Sequence, residues 1–265
     1  MSMTDLDLAI TLANEAGEIL LEKWADRGRL SITRKRAGDF ASEADFEAER
    51  HLKTRLSRLR PEDGWLGEET GAGPVSARRW IVDPLDGTTN FLRGIPHWAV
   101  SIALETEAGL SVGVVHDPVK QETFAAGPGP SATLNDATLV LPEPTSLEAA
   151  LFGTGIPFGG MPHIDEHASD IARLMPLCAG VRRMGAAALD LAYVAAGRLD
   201  GFWERRLQPW DIAAGLVLLR QAGARVEGWK PGETPEEYGN VIAAPGAIFG
   251  SFADVLRRTD HDVSA

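Results

Sequence analysis

Trp80-Ile-Val-Asp-Pro-Leu-Asp-Gly-Thr-Thr-Asn-Phe91 is the stretch on which the fold of this chain turns. Trp80, Ile81 and Val82 read as a buried strand. Pro84 fixes φ and donates no hydrogen bond, so the chain is expected to leave the sheet there. Gly87 lets backbone approach a ligand closely, and the hydroxyls of Thr88 and Thr89 can cap a following helix or hold a water. Asp83 and Asp86 repel each other at the exit of a buried strand unless a cation lies between them, and a hard, oxygen-seeking cation satisfies both. Taken alone, the same residues also read as an Asp-Pro turn followed by an Asp-Gly turn.

Upstream, Thr4 can cap a helix whose Leu8, Leu12, Ala13, Ala16, Ile19 and Leu20 form one apolar stripe. A basic, glycine-containing loop, Arg34-Lys-Arg-Ala-Gly-Asp39, follows. A second helix is predicted from Ser42–Asp45 to about Leu59, with Ala48, Leu52, Leu56 and Leu59 inward and Pro61 ending it. Asp45 falls on that inward stripe in the first turn, as a cap or as part of a site. Gly64–Gly67, Trp80–Asp83, Trp98–Leu104 and Ser111–Val115 read as strands with hairpin-sized connections, hence antiparallel.

From about Leu147 the texture changes. Helical patterns over His163–Leu177, Ala186–Ala196 and Asp211–Ala222 alternate with short strands at Gly201–Glu204, Arg225–Glu227 and Val241–Ala243. With Leu141-Pro-Glu-Pro-Thr145 as a seam, this predicts an α+β subdomain over residues 1–145 and a more α/β one over 146–265. His163 and His167, spaced i,i+4 without a neighbouring general base, read as a solvated helix face.

Acids recur at the ends of elements. Gly67-Glu68-Glu69 closes a strand, and Gln208-Pro-Trp-Asp211 opens the strongly helical run Ile212–Leu219. Each acid alone has a plain explanation, such as helix capping for Asp211. Four of them at element ends, each flanked by Trp or Gly and set in apolar surroundings, are harder to explain that way.

Bulk properties agree with a soluble enzyme or binding protein. A formal charge of −12, from 26 basic and 38 acidic residues, disfavours nucleic acid and anionic membranes. Apolar content of 44% and charged content of 24% are those of an ordinary globular chain. Cys178 is the single cysteine, which rules out an intramolecular disulfide and reads as core packing. Asp5 and Asp7 near the start, with no basic-then-apolar segment, argue against a secretion signal, and the apolar run Ile212–Leu219 is too short to cross a bilayer. A cytoplasmic location is expected.

With these motifs in view, the chain resembles the inositol monophosphatase family. Asp83-Pro-Leu-Asp-Gly-Thr-Thr-Asn-Phe91 is similar to that family's first signature and Trp210-Asp-Ile-Ala-Ala-Gly215 to its second. Gly67-Glu68-Glu69 and Ser42-Glu-Ala-Asp45 stand at the expected distances upstream. The resemblance implies the alternating α-β-α-β-α layered sandwich shared with fructose-1,6-bisphosphatase, with the site between the subdomains, and a homodimer.

It also implies roles. Glu68, Asp83 and the Leu85 carbonyl would bind one Mg²⁺; Asp83, Asp86 and Asp211 would bind a second, the one Li⁺ competes for. Glu68, largely through waters, would help hold a third. Thr88, hydrogen-bonded to Asp45, would position the attacking water. Backbone amides of Gly87 and Thr88 would cradle phosphate, which a helix start favours on independent grounds. Glu204 would accept hydrogen bonds from substrate hydroxyls, with Gln208 and Ala187 beside it. The family often has His at the position of Gln208, Thr at that of Ser42, and one Lys where Arg34, Lys35 and Arg36 lie.

The implied activity is Mg²⁺-dependent hydrolysis of a small polyol phosphate monoester such as inositol monophosphate, by in-line attack of water and without a phosphoenzyme. The alternatives are the same chemistry on a nucleotide 3′-phosphate, histidinol phosphate or fructose bisphosphate, or a regulatory binding protein on this fold.

Overall fold

The computed structural model describes residues 3–36, 39–129, 131–142, 144, 146–156 and 162–258. Ala37 and Gly38 of the basic segment, and Glu143 and Thr145 of the seam, lie outside them. Helix α1 (Asp5–Ala25) opens on a capping box between Thr4 and Asp7, and α2 (Glu43–Leu59) on one between Ser42 and Asp45. Between them β1 (Ile32–Arg36) and β2 (Asp39–Ser42) pair antiparallel, where a loop is expected from sequence.

Among the described residues, eight strands make a large sheet. These are β3 (Gly64–Gly67), β4 (Gly71–Ala72), β5 (Arg79–Asp86), β6 (Ala99–Thr106), β7 (Gly109–Asp117), β8 (Glu122–Ala126), β9 (Thr133–Leu134) and β10 (Ala137–Thr138). Their order is β10-β9-β8-β7-β6-β5-β3-β4. Helix α3 (Thr88–Arg93) follows β5. A second sheet has the order β12-β11-β13-β15-β14, from β11 (Leu151–Thr154), β12 (Gly180–Arg182), β13 (Gly201–Glu204), β14 (Arg225–Glu227) and β15 (Val241–Ala244). Its helices are α4 (Ile164–Leu174), α5 (Ala187–Ala195), α6 (Pro209–Ala222), α7 (Pro235–Tyr238) and α8 (Gly246–Arg257).

Strand alternation sorts the core into layers, because successive side chains point to opposite faces. Val82 packs under α1 and α2 with Leu8, Leu12 and Leu52, whereas Ile81 faces α5 and α6 with Leu191 and Leu216. Phe202 joins that same central layer, and its neighbour Trp203 faces α8 with Phe249 and Phe252. Two helices, a sheet, two helices, a second sheet and an outer pair, α4 and α8, give an α-β-α-β-α sandwich.

Three further sequence expectations change. The strand runs through Pro84 to Asp86, with a register break against β6 between Asp83 and Asp86 that absorbs the missing donor. β3 pairs with β5 parallel rather than antiparallel, because the chain turns back along β4 before entering β5. Leu59, in the last turn of α2, is exposed instead of inward.

Candidate active site

The parallel pairing of β3 with β5 puts Glu68 and Asp83 at the same sheet edge. The bulge at Pro84 turns Asp86 to that edge as well, and α6 brings Asp211 from the C-terminal half. All four line one cavity of about 540 Å³ together with Leu85 and Thr88. Gly87 makes the turn into α3 with a left-handed φ of 93°, a conformation that side chains resist. A Cβ there would also lie 3.1 Å from the His97 carbonyl oxygen.

Asp45 caps α2 and also reaches Thr88, which lines the cavity. Its Oδ2 accepts from the Ser42 amide at 2.8 Å and the Ser42 hydroxyl at 2.7 Å, while its Oδ1 accepts from Thr88 Oγ1 at 2.9 Å. The Thr88 hydroxyl also lies 3.1 Å from the Leu85 carbonyl oxygen, yet it has a single proton to give. The carboxylate is the nearer and the charged acceptor, so it takes that proton. Burial raises the Asp45 carboxyl to about 6.

Like charges crowd this edge. Burial pushes Asp83 well above the usual carboxylate range, and Glu68, Asp86 and Asp211 push it further. Asp86 rises to about 7 for the same first reason, although it accepts the Ala188 amide at 2.8 Å. Lys35, from β1, answers part of this charge: its Nζ lies 2.7 Å from Glu68 Oε1 and 2.6 Å from Glu69 Oε1. Of the basic trio, Lys35 is therefore the one seen in the cavity; the Arg36 side chain lies outside the described residues. Among the described residues no three Asp, Glu, His or Cys side chains already converge on one point. A largely buried all-oxygen set whose mutual repulsion Lys35 answers only in part fits a hard divalent ion.

A second cavity, about 140 Å³, adjoins the first and shares Asp86, Gln208 and Asp211 with it. Ala187 and Glu204 line it. Gly155 lies flat against Glu204: a Cβ there would come within 2.0 Å of Glu204 Oε1. Burial, then Asp211, Asp190 and Asp86, hold the Glu204 carboxyl well above its ordinary range. Gln208 caps α6, and its amide donates to Asp211 Oδ2 at 2.7 Å. The two halves are tied beside these cavities by Asn90 Nδ2, which donates to the His97 and Met184 carbonyls at 2.8 Å each, and by His97 Nε2 at 3.1 Å from Asp190 Oδ1.

Sequence reading missed Glu49, whose buried carboxylate accepts the amides of Glu69 at 2.8 Å and Thr70 at 2.7 Å and so fixes the turn presenting Glu68. Its position one helical turn after Asp45, on the inward stripe, was the available signal. His163 and His167 are not a solvated face. Both are buried, His167 stacks on Trp203, and burial drops His167 to about 4.

A family model described as the inositol monophosphatase family matches residues 3–260. A Rhizobium meliloti (strain 1021) protein named inositol-1-monophosphatase is 42% identical over 255 residues, covering 96% of each chain. A Pseudomonas aeruginosa protein named Nus factor SuhB is 41% identical over 258 residues, covering 95% of each. The crystal structure of extragenic suppressor protein suhB from Bartonella henselae superposes with a TM-score of 0.91 at 39% identity, over 95% of this chain and 98% of that one.

Proposed function

This chain belongs to the inositol monophosphatase family, and from that premise we propose that it hydrolyses a polyol phosphate monoester, inositol monophosphate first among them, in a Mg²⁺-dependent reaction. The observation that carries the proposal is the gathering of Glu68 after β3, Asp83 and Asp86 on β5, Thr88 in α3 and Asp211 in α6 around one cavity that opens beside Glu204. Glu68, Asp83, the Leu85 carbonyl, Asp86 and Asp211 would hold two or three Mg²⁺ ions. Bound there, Mg²⁺ supplies positive charge against the phosphoryl oxygens and acidifies water.

The chain's own residues do the rest. Amides of Gly87 and Thr88 at the start of α3 receive the phosphate. Thr88 Oγ1 accepts a proton from the attacking water as it passes its own to Asp45 Oδ1, whose pKa near 6 leaves it able to accept at neutral pH. Glu204 orients the alcohol through its hydroxyls and disfavours a second phosphate next to it. Among the described residues no helix is long and apolar enough to cross a membrane.

The relatives named Nus factor SuhB favour a second reading, a regulatory binding role on the same fold. Clustered carboxylates without a counterion cost stability, which favours the enzymatic reading. Phosphate release from inositol 1-phosphate, a nucleotide bisphosphate, histidinol phosphate and fructose 1,6-bisphosphate, with and without Mg²⁺, separates the two. Mg²⁺-dependent release with the highest kcat/KM on inositol 1-phosphate is expected. A nucleotide bisphosphate preferred over inositol 1-phosphate would overturn the substrate assignment; no metal-dependent release on any of them would leave the binding role.

A further inference from the structure

The cavity walls are mostly acidic, yet the proposed substrate is a dianion. Lys35 lines only the carboxylate cavity and is held there by Glu68 and Glu69. Arg205 and Arg206 line only the second cavity, and Arg205 is spent on Asp170. Arg183 is different, because it lines both. Among the described residues no carboxylate pairs with it. Its guanidinium folds back over Gly185, which has a left-handed φ of 88°: a Cβ at Gly185 would sit 2.6 Å from Arg183 Nη1. Gly185 thus leaves the room in which that guanidinium lies. The positive field of Arg183 reaches Glu204 and Asp190 in the second cavity.

The junction of the two cavities is where a phosphoester bond must lie if the phosphate sits at Gly87 and Thr88 and the alcohol at Glu204. We propose that Arg183 is a substrate-binding residue that grips the phosphoryl oxygens from the alcohol side and so sets the enzyme's affinity for phosphate. This rests on the phosphatase reading above. A guanidinium suits the task, since its planar fork bonds two phosphate oxygens at once and stays charged at any working pH. It also supplies charge at the border of the two cavities, where the ester bond is placed. The segment carrying it is anchored by Asn90 through the Met184 carbonyl, so the grip is coupled to the start of α3.

The test is calorimetric titration of the full chain with inorganic phosphate in saturating Mg²⁺, comparing wild type, Arg183→Ala and Arg183→Lys. Mg²⁺ and inositol are titrated separately. Loss of a charge-assisted fork is expected to weaken phosphate binding by about tenfold or more in Arg183→Ala. Lysine, which keeps the charge without the fork, should recover part of it, with Mg²⁺ and inositol binding unchanged. Phosphate affinity in Arg183→Ala within twofold of wild type, or a wild type that binds no phosphate, overturns the assignment. A selective loss of inositol binding overturns it too, by placing Arg183 on the alcohol. Wild type that binds phosphate through Arg183 but releases none from any monoester would sink the phosphatase reading and leave the anion site standing.

Discussion

The two adjoining cavities are built on opposite principles. At the edge of β3 and β5, Glu68, Asp83, Asp86 and Asp211 face one another, with Lys35 ion-paired to Glu68 and Arg183 at the border with the second cavity. In the neighbouring cavity, acids alternate with cations, Glu204 and Asp190 with Arg183, Arg205 and Arg206. The first arrangement stores repulsion that an inorganic ion can discharge; the second mixes both signs of charge around a buried carboxyl that can discriminate by hydrogen bonding. If the proposed function holds, chemistry falls to one wall of the cleft and selectivity to the other.

Breaking the first wall should have the largest effect. Asp83→Asn is expected to abolish Mg²⁺-dependent turnover while the far-ultraviolet circular dichroism stays native. Its metal-free form should melt no lower than wild type, because a buried repelling charge has been removed. Activity within tenfold of wild type would take Asp83 out of the metal site.

The proton path comes next. Thr88→Ala and Asp45→Asn should each lower kcat by roughly 10²- to 10⁴-fold, the usual worth of a positioned acid or base. The double variant should be little worse than either, since groups that act as a unit are non-additive. Additive losses in steady-state assays would mean Asp45 serves the cleft only by capping α2.

Breaking the second wall should be milder and of another kind. Glu204→Gln is expected to raise KM for inositol 1-phosphate about tenfold with a smaller loss in kcat, the mark of lost uniform binding. Gly155→Ala sharpens this, because its Cβ would displace the Glu204 carboxyl without changing any charge. It should copy the KM effect. A kcat loss as large as that of Thr88→Ala would merge the two walls into one.

Stability against pH gives the smallest signal. Asp45 titrates at about 6 and both Glu69 and Asp86 at about 7 in the folded protein, above their ordinary values of 3.8 for Asp and 4.5 for Glu. The folded state therefore holds more protons than the unfolded one between about pH 4 and 7. The stabilisation is full below the ordinary pKa values and is lost as pH rises through the folded ones. Metal-free protein should melt a few degrees lower at pH 8 than at pH 5, and saturating Mg²⁺ should flatten the slope. A metal-free melting temperature that rises over this range would contradict the repulsion at the first wall.

What the sequence made legible follows the same division. The first wall lies largely in one continuous stretch, so residue types and spacing in Asp83–Phe91 were enough to expect a cation there. The helices α1 and α2 were readable from caps and apolar stripes. The second wall depends on contacts that no local pattern encodes: Asp86 meets the Ala188 amide across 102 residues, and His97 meets Asp190 across 93. Arg183 carries no local mark at all. His163 and His167 were read as a solvated face for want of a neighbouring general base, whereas both are buried and His167 stacks on Trp203, which lies far along the chain. The direction of β3 against β5 was hidden by a connection short enough for a hairpin.

That parallel pairing has a consequence for how freely the protein can be altered. The chain leaves the carboxylate edge at Glu68, turns through β4 and travels back to the far end of the sheet, where the Gly64 amide donates to the Arg78 carbonyl. The far end is separated from the chemistry by the length of a four-residue strand, roughly 10 Å. There the chain surfaces at Val75, which is fully exposed. Sequence added at this tip extends into solvent while Trp65 and Trp80, paired in register, keep the two carboxylates at their edge. The position is a natural socket for a tag, a fluorophore or an inserted domain, and a place where related chains could vary in length without cost to the chemistry.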